Sequence, residues 1–230
     1  MTEIGDPHVR PNRPSLKEVA VGLVAMAVVG FGGAIALMRS GLGPEHIRLI
    51  LTAWSGIAGF AGFGAAWLLR RSTPPTYGLH AVTWRWLLLG VAVGVVAFVA
   101  KGLVVLLATW GAGASGNPQN IYAAGGGGGT GSLILATLFL GVLTPLGEEL
   151  LFRGVVTNGL LRLGGWVGVV GGALVFALAH GINIVFPVAL LLGLVTGELF
   201  RRSHSVWPGV GTHIVYNLPT VPLMLWAQAN

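Results

Sequence analysis

The sequence contains no cysteine, one aspartate and few charged residues of any kind. Without cysteine the chain has no disulfide, no thiolate metal site and no thiol nucleophile. The single aspartate, Asp6, lies near the start of the chain, so a pair of aspartates inside a membrane span is also absent. Chemistry that depends on a thiol or on two aspartates is therefore excluded.

Charged residues make up only 9% of the 230 residues, whereas 54% are hydrophobic, and the mean hydropathy is +0.81. A soluble domain could not hide so much apolar surface. The net charge of +6 comes mainly from basic residues at the ends of apolar runs, which is typical of membrane topology and not of nucleic-acid binding. We expect an all-α polytopic membrane protein, a bundle of about six to eight transmembrane helices in a lipid bilayer, with no nucleic-acid partner.

Apolar runs divide the chain into four parts. We expect a cytoplasmic tail at 1–17, N-terminal transmembrane helices at 18–110, a Gly-rich outer loop at 111–131 and a core at 132–230. The predicted spans lie at 18–38, 49–69 and 86–109, then from about 132 through the glutamates, and at 166–186, 187–200 and 207–226. The outer loop carries no charge and has five consecutive glycines, so we expect it to hold no single conformation. Small residues four apart, such as Gly90 with Gly94 and Gly193 with Gly197, favour close helix packing within the chain over a dimer interface.

The distribution of arginine predicts the orientation. Arg70, Arg71 and Arg85 flank one loop, and the 111–131 loop has no basic residue, so the first is cytoplasmic and the second lies outside. The N-terminus is then cytoplasmic, and Arg39 and Arg48 are the exceptions. We expect a multi-pass protein of a bacterial plasma membrane.

Ionisable residues inside spans are costly and mark the place to look for function. The candidates are Glu148, Glu149, Arg153, His180, His213 and Lys101. Glu149 and Arg153 are four apart in the favourable acid-first order and can form an ion pair. Glu148 is left unpaired and is suited to accepting and donating protons in a poorly hydrated cleft. The alternative is that these charges end a helix and reach the headgroups.

Two other helices add polar groups. A single histidine on an apolar helix, such as His180, is most often a hydrogen-bonded packing residue. His213 and Asn217 share one helix face, so together they could hold an oxyanion or orient a metal-bound histidine. Lys101 either pairs with a glutamate or extends toward the membrane surface.

These residues form three motifs in a fixed order: Glu148-Glu149-x-x-x-Arg153, Phe176-x-x-x-His180 and His213-x-x-x-Asn217. This set, over residues 132–217, resembles the CAAX protease and bacteriocin-processing family, also called the Abi family, which includes the Ras-converting CAAX endopeptidase. The resemblance implies an intramembrane endopeptidase without a covalent intermediate, acting on a peptide or protein substrate. An alternative from the same resemblance is an inactive peptide-binding or bacteriocin-immunity protein.

The resemblance also implies roles. Glu148 matches the catalytic glutamate and His180 the histidine that helps it activate water, while His213 and Asn217 match the pair that stabilises the oxyanion. Glu149 and Arg153 match the supporting charges of the first motif. We expect no cofactor, although zinc on Glu148, His180 and His213 is possible; the motif spacing differs from HExxH.

Two other interpretations are weaker. The stretch GASG around Ser115 looks like a rhomboid serine motif, but it stands in a loop and not at the start of a packed helix. A proton-coupled transporter could also use carboxylates and histidines in spans, but the sequence has no visible internal repeat.

The predicted spans carry one geometric difficulty. A span that begins at Trp166 places His180 about 21 Å deep, whereas Glu148 is expected near the cytoplasmic end of its own helix. Both residues can line one cavity only if the helices cross steeply or the later helix begins earlier.

Overall fold

The computed structural model describes residues 12–111 and 120–229, and these residues form helices and turns without a β-strand. The principal helices are α1 (Leu16–Met38), α2 (Pro44–Arg70), α3 (Trp84–Gly111), α4 (Asn120–Gly126), α5 (Thr130–Leu163), α6 (Gly165–Ala179), α7 (Val185–Ser203), α8 (Trp207–Asn217) and α9 (Thr220–Ala229). The expected all-α polytopic membrane fold is confirmed.

Within the described residues, α1, α2, α3 and α5 are long and apolar enough to cross a membrane, with mean hydropathies from 1.5 to 2.4. They cover the first three predicted spans and the run through the glutamates. The α6 helix is apolar but shorter. It packs against α7, while α8 packs against α3, so the bundle closes around α5.

Local sequence sets several helix ends. The Ser15 side chain accepts from the backbone N–H of Glu18, and the Glu18 carboxylate accepts from the N–H of Ser15, so α1 begins with a capping box. Pro44 opens α2, where its missing N–H costs nothing. Gly164 has φ of 134°, a conformation open mainly to glycine, and this lets α6 turn directly back along α5.

The prediction of an unstructured loop at 111–131 is wrong for its second half. Asn120–Gly126 forms helix α4, in which Gly125 and Gly126 are buried. A side chain on Gly125 would lie 2.8 Å from the Arg48 carbonyl oxygen, and one on Gly126 would lie 2.7 Å from Val221. These glycines are ordered because their lack of a side chain permits close packing. Residues 112–119, including Ser115, lie outside the described residues.

Glycines also bring the long helices into backbone contact. A Cβ on Gly59 would lie 2.5 Å from the backbone of Gly147, and one on Gly56 would lie 2.7 Å from Thr144 Cα, so α2 packs directly on α5. Gly90 and Gly94 make the same kind of contact with α8. For Gly90 and Gly94, these contacts confirm the interpretation of small residues four apart as packing positions within the chain.

Most basic residues meet at one end of the bundle, which we call the arginine-rich face. Its basic residues are Arg13, Lys17, Arg70, Arg71, Arg85, Arg162, Arg201 and Arg202. Arg70 and Arg162 both donate to the Arg13 carbonyl, which joins the chain before α1 to the ends of α2 and α5. Ser205 donates to the His80 carbonyl, which adds the α2–α3 and α7–α8 connections.

Candidate functional site

The site is built around the middle of α5. The Glu148 side chain is 2% exposed, and the helix changes to π-helical turns at Phe139–Leu143 and Leu150–Thr157, on either side of it. Such turns rotate the following side chains relative to a regular α-helix and occur often at functional sites.

The expected difference in depth between Glu148 and His180 is wrong. The α5 helix continues to Leu163, fifteen residues beyond Glu148, and His180 lies fifteen residues beyond the start of α6 at Gly165. Because α6 turns back along α5 at Gly164, both residues lie about 22 Å from the turn. No steep crossing is required to bring them to the same level.

The Glu149–Arg153 ion pair predicted from the i, i+4 spacing is present and fully buried. Arg153 Nη2 donates to Glu149 Oε1 at 3.1 Å, and Arg153 Nε donates to the hydroxyl of Thr196 at 2.7 Å. The guanidinium also lies 4.7 Å from the centre of the Phe176 ring. A buried pair of this kind is stable only when hydrogen bonds complete its geometry, and Thr196 on α7 supplies one.

His213 lies between the two glutamates. Its Nδ1 is 3.0 Å from Glu149 Oε1, and its Nε2 is 3.7 Å from Glu148 Oε2. Since a carboxylate only accepts, we assign a proton to Nδ1. Glu149 therefore orients the ring so that Nε2 faces Glu148. The Glu148 Oε2 atom is buried and has no hydrogen-bond partner among the described residues.

His180 is the residue that follows α6 and is half-buried. Its Nδ1 lies 2.9 Å from the Phe176 carbonyl oxygen, so this nitrogen carries the proton and Nε2 is left as an acceptor. The Phe176 ring packs against the rings of both His180 and His213, at 4.7 and 5.9 Å between centroids. The interpretation of His180 as a hydrogen-bonded packing residue therefore describes Nδ1, which binds the Phe176 carbonyl, but not Nε2, which is left as an acceptor.

Asn217 is the last residue of α8, and Lys101 on α3 lies beside this end of α8. The Asn217 amide donates one N–H to the Leu140 carbonyl at 3.3 Å, which leaves a second N–H. Lys101 donates to the Tyr216 carbonyl and the Thr220 hydroxyl, both at 3.0 Å, and its ammonium lies 4.3 Å from the centre of the Tyr216 ring. Neither expectation for Lys101 is correct, because it binds the α8–α9 junction instead of a glutamate or the membrane surface.

Four of the predicted residues, Glu148, His180, His213 and Asn217, line one cavity of about 50 Å³. Lys101 and Tyr122 line it as well. A polar cavity of this size has room for water. The other two predicted residues, Glu149 and Arg153, lie behind His213.

A larger apolar cavity of about 560 Å³ adjoins the first, and Ser55 and Tyr122 line both. Its apolar walls include Met26, Phe31, Leu51, Trp54, Val175 and Leu178. The polar residues that sequence reasoning missed are Ser55, Tyr122, Thr144 and Thr196. Thr196 had a signal, since it is a polar residue within an apolar stretch of α7.

The donor groups of the site are not arranged as a set of metal ligands. Among residues 12–111 and 120–229, no three histidine, cysteine, aspartate or glutamate side chains are placed to hold one metal ion. The zinc set considered from the sequence, Glu148, His180 and His213, is therefore not assembled as a metal site in this arrangement.

Comparison with known proteins gives a family match over the part of the chain that carries the three motifs. Residues 130–219 match the family described as type II CAAX prenyl endopeptidase Rce1-like. No curated protein and no solved structure matches the chain. The match spans α5 to the end of α8 and so contains all three motifs and the walls they contribute to the cavity. Residues 130–219, 90 of the 230 residues, are therefore similar to the Rce1-like CAAX prenyl endopeptidases.

Proposed function

We propose that this multi-pass membrane protein is an endopeptidase in which Glu148 activates a water molecule to hydrolyse a peptide bond. The observation that carries the proposal is the convergence of Glu148, His180, His213 and Asn217 on one cavity inside the helix bundle. These residues come from α5, from the ends of α6 and α8, and from the middle of α8, so only the tertiary fold brings them together.

Glu148 is suited to the role of general base. Its Oε2 has no hydrogen-bond partner among the described residues and lines a cavity that can hold water. In the proposed step, the carboxylate takes a proton from water, the water oxygen attacks the carbonyl carbon, and the proton passes to the departing amine. His180 Nε2, an acceptor in the assigned tautomer, helps to orient the water.

His213 and Asn217 supply hydrogen-bond donors for the oxyanion. His213 can donate through Nε2 only as an imidazolium, because Nδ1 already donates to Glu149. The carboxylate of Glu148 lies 3.7 Å from Nε2 and that of Glu149 lies 3.0 Å from Nδ1. The second N–H of Asn217 adds a neutral donor. Donors fixed in advance stabilise the developing charge without reorganising at the moment of reaction.

Glu149 and Arg153 position the site and take no part in bond making. The Arg153 guanidinium neutralises Glu149, and Glu149 in turn fixes the His213 ring. This is the logic of an acid that orients a histidine. Thr196 completes the support by accepting from Arg153.

We favour a metal-free reaction, because no three histidine, cysteine, aspartate or glutamate side chains among the described residues are placed to hold one metal ion. Peptidase activity should therefore survive a chelator, and metal analysis of the purified protein should give less than one equivalent. Loss of activity on chelation with recovery on zinc addition would reject this part of the proposal.

The apolar cavity favours a substrate with a large apolar part. It shares Ser55 and Tyr122 with the catalytic cavity, so a segment bound in it places its next residues beside Glu148. The matched family is described as a prenyl endopeptidase. A lipid chain or an apolar peptide segment has the chemistry that these walls accept.

The arginine-rich face is proposed to be cytoplasmic. Among the described residues it holds eight basic residues, whereas the opposite end holds Arg39 and Arg48 next to Glu45. Such an excess of Arg and Lys in short connections sets the orientation of membrane proteins.

The test is cleavage of internally quenched peptides with an apolar segment by protein in proteoliposomes. Glu148→Gln should lower kcat/KM by at least about 100-fold, the usual contribution of a general base. Glu45→Gln, at an exposed side chain, is the matched control and should keep full activity. Equal activity of wild type and Glu148→Gln would reject the mechanism. Binding of the peptides without cleavage would favour the non-enzymatic peptide-binding alternative.

A further inference from the structure

A third cavity, of about 310 Å³, lies at the arginine-rich face. Its walls come from the chain before α1, the α2–α3 connection, α5 and the end of α7. None of its lining residues lines the catalytic cavity or the apolar cavity beside it. Asn158, which α5 contributes to this cavity, is ten residues beyond Glu148, about 15 Å along the helix. The third cavity is therefore separate from the catalytic site.

Hydrogen bonds between distant segments hold the walls of this cavity in place. Asn158 is buried and donates to the Thr76 carbonyl at 2.8 Å, which ties α5 to the α2–α3 connection. His80 Nε2 lies 2.9 Å from the His204 carbonyl oxygen, which ties the same connection to the end of α7. Phe200, another lining residue, is 2% exposed. The cavity is therefore formed before any ligand enters, as binding sites usually are.

Arg13 brings a cation without a counter-ion to this cavity. Its backbone is fixed, because Arg70 and Arg162 both donate to its carbonyl oxygen. The Arg13 side chain is partly buried, and among residues 12–111 and 120–229 its guanidinium has no hydrogen bond and no ion pair. Burial lowers the pKa of Arg13. A cation held partly out of water in this way is stabilised by an anion placed beside it.

The charges around Arg13 also favour an anion. The pKa of His204 is lowered by burial and then by nearby positive charges, of which Arg13 is the first. Among the described residues, the acidic side chains at this face are Glu18 and Glu198, and each already binds an arginine. An anionic ligand would therefore meet positive charge in the cavity and no unpaired carboxylate of the described chain.

Exposed tryptophans indicate that this cavity lies at the level of the lipid headgroups. Four helix ends at the arginine-rich face carry a tryptophan that is 38% to 82% exposed: Trp67, Trp84, Trp166 and Trp207. Tryptophan is enriched where membrane-spanning helices meet the membrane surface. Basic pockets between such helices bind the phosphates of lipid headgroups, and the planar guanidinium of arginine matches the geometry of a phosphate.

We propose that this cavity binds a phosphate group, with Arg13 as its principal donor and the headgroup of an anionic membrane lipid as its source. Thr73 and His204 line the same cavity and supply further donors. A phosphate bound there joins the chain before α1 to two connections of the bundle, so the ligand stabilises the folded protein by mass action. The proposal does not depend on the peptidase function.

The test is thermal unfolding of the full chain in a neutral detergent, titrated with phosphatidylglycerol, diacylglycerol or inorganic phosphate. Native mass spectrometry counts the lipids that each chain retains. Phosphatidylglycerol should raise the Tm to a plateau with one lipid retained, and diacylglycerol, which has no phosphate, should have no such effect. Arg13→Gln should weaken the apparent affinity for phosphatidylglycerol at least about tenfold, the usual loss for a hydrogen bond to a charged group.

Two further variants separate a built site from the general charge of the face. Arg85→Gln removes the same charge from an exposed residue of the arginine-rich face that does not line the cavity, and it should keep the affinity of the wild type. Thr73→Phe fills the cavity without changing the charge, and it should weaken binding as Arg13→Gln does.

Equal losses of affinity for Arg13→Gln and Arg85→Gln would overturn the proposal, because only the total charge of the face would then matter. A Tm that neither phosphatidylglycerol nor inorganic phosphate changes would also overturn it, as would equal stabilisation by diacylglycerol. Stabilisation by inorganic phosphate as strong as that by phosphatidylglycerol would reject the lipid as the source and assign the site to free phosphate. None of these measurements uses peptidase activity, so failure of the proposed function is recognised separately.

Discussion

Replacing Arg153 with methionine tests whether the buried ion pair supports the site. Methionine keeps much of the volume of the side chain but leaves Glu149 charged, fully buried and without its cation. It also removes the donor to Thr196 and the cation above the Phe176 ring. We expect the protein to be less stable and the His213 ring to be less well oriented, because Glu149 binds both Arg153 and His213.

The expected magnitude follows from burial. Removing one partner of a buried ion pair costs about 3–5 kcal/mol, because the remaining charge stays in a poorly solvated place. For a chain of this size, about 2–4 °C in Tm corresponds to 1 kcal/mol, so the loss is about 6–20 °C. The double variant Glu149→Gln/Arg153→Met removes both charges and should recover most of the stability, but not the peptidase activity.

The chain supplies a matched control in Glu198–Arg202, another acid-first i, i+4 pair, whose side chains are 36% and 64% exposed. Arg202→Met should cost only about 0–1 kcal/mol. The assay is thermal unfolding in detergent, followed by the fluorescence of the eight tryptophans. Equal Tm shifts for Arg153→Met and Arg202→Met, or a double variant as unstable as Arg153→Met, would refute the argument from burial.

Three further predictions use the same unfolding assay. Gly59→Ala should lower the free energy of unfolding by about 1–3 kcal/mol and also lower peptidase activity, because its Cβ meets the α5 backbone at 2.5 Å. The control is Gly64→Ala, which has open space around it and should raise the free energy of unfolding by about 0.5–1 kcal/mol. Equal effects of the two substitutions would contradict this account of the α2–α5 packing. Lys101→Met should lower the free energy of unfolding by about 1–3 kcal/mol, because it leaves the Tyr216 carbonyl at the end of α8 without its donor. Lys101→Arg should restore part of this loss. An unchanged Tm for Lys101→Met would show that the contact is dispensable. Burial and then nearby positive charges lower the pKa of His204. Its folded form therefore binds fewer protons than the unfolded chain, and stability should fall as the pH drops through about 6.5. His204→Asn, which tolerates the left-handed backbone there, should reduce this dependence; an identical pH profile would exclude His204 as its source.

The composition and the motifs were sufficient to determine the class of the molecule. Apolar runs of about 20 residues have few alternatives to membrane-spanning helices, since the backbone must satisfy its own hydrogen bonds in lipid. The i, i+4 spacing of Glu149 and Arg153 predicted an ion pair within one helix, and the pair is present. Local periodicity decides such contacts, so sequence was sufficient for them.

The sequence was less informative where the contact partner lies on another helix. The span around Lys101 predicts a glutamate partner or the membrane surface, but its hydrogen bonds go to Tyr216 and Thr220 on distant segments. The five-glycine run predicts flexibility, yet Gly125 and Gly126 are buried, because the packing of neighbouring helices uses their small size. The conformational propensity of a residue describes an isolated segment, and the packing energy between neighbouring helices overrides it.

Sequence by itself determined that polar groups at 148, 149, 153, 180, 213 and 217 stand within apolar segments, where each must find a partner or water. Only the tertiary structure decided which of these groups pair with one another and which face the cavity. It set Glu149 and Arg153 behind His213 as a support, and it left Glu148 facing a cavity at the level of His180. The physical reason is the turn at Gly164, which folds α6 back along α5 and so brings His180 to the level of Glu148.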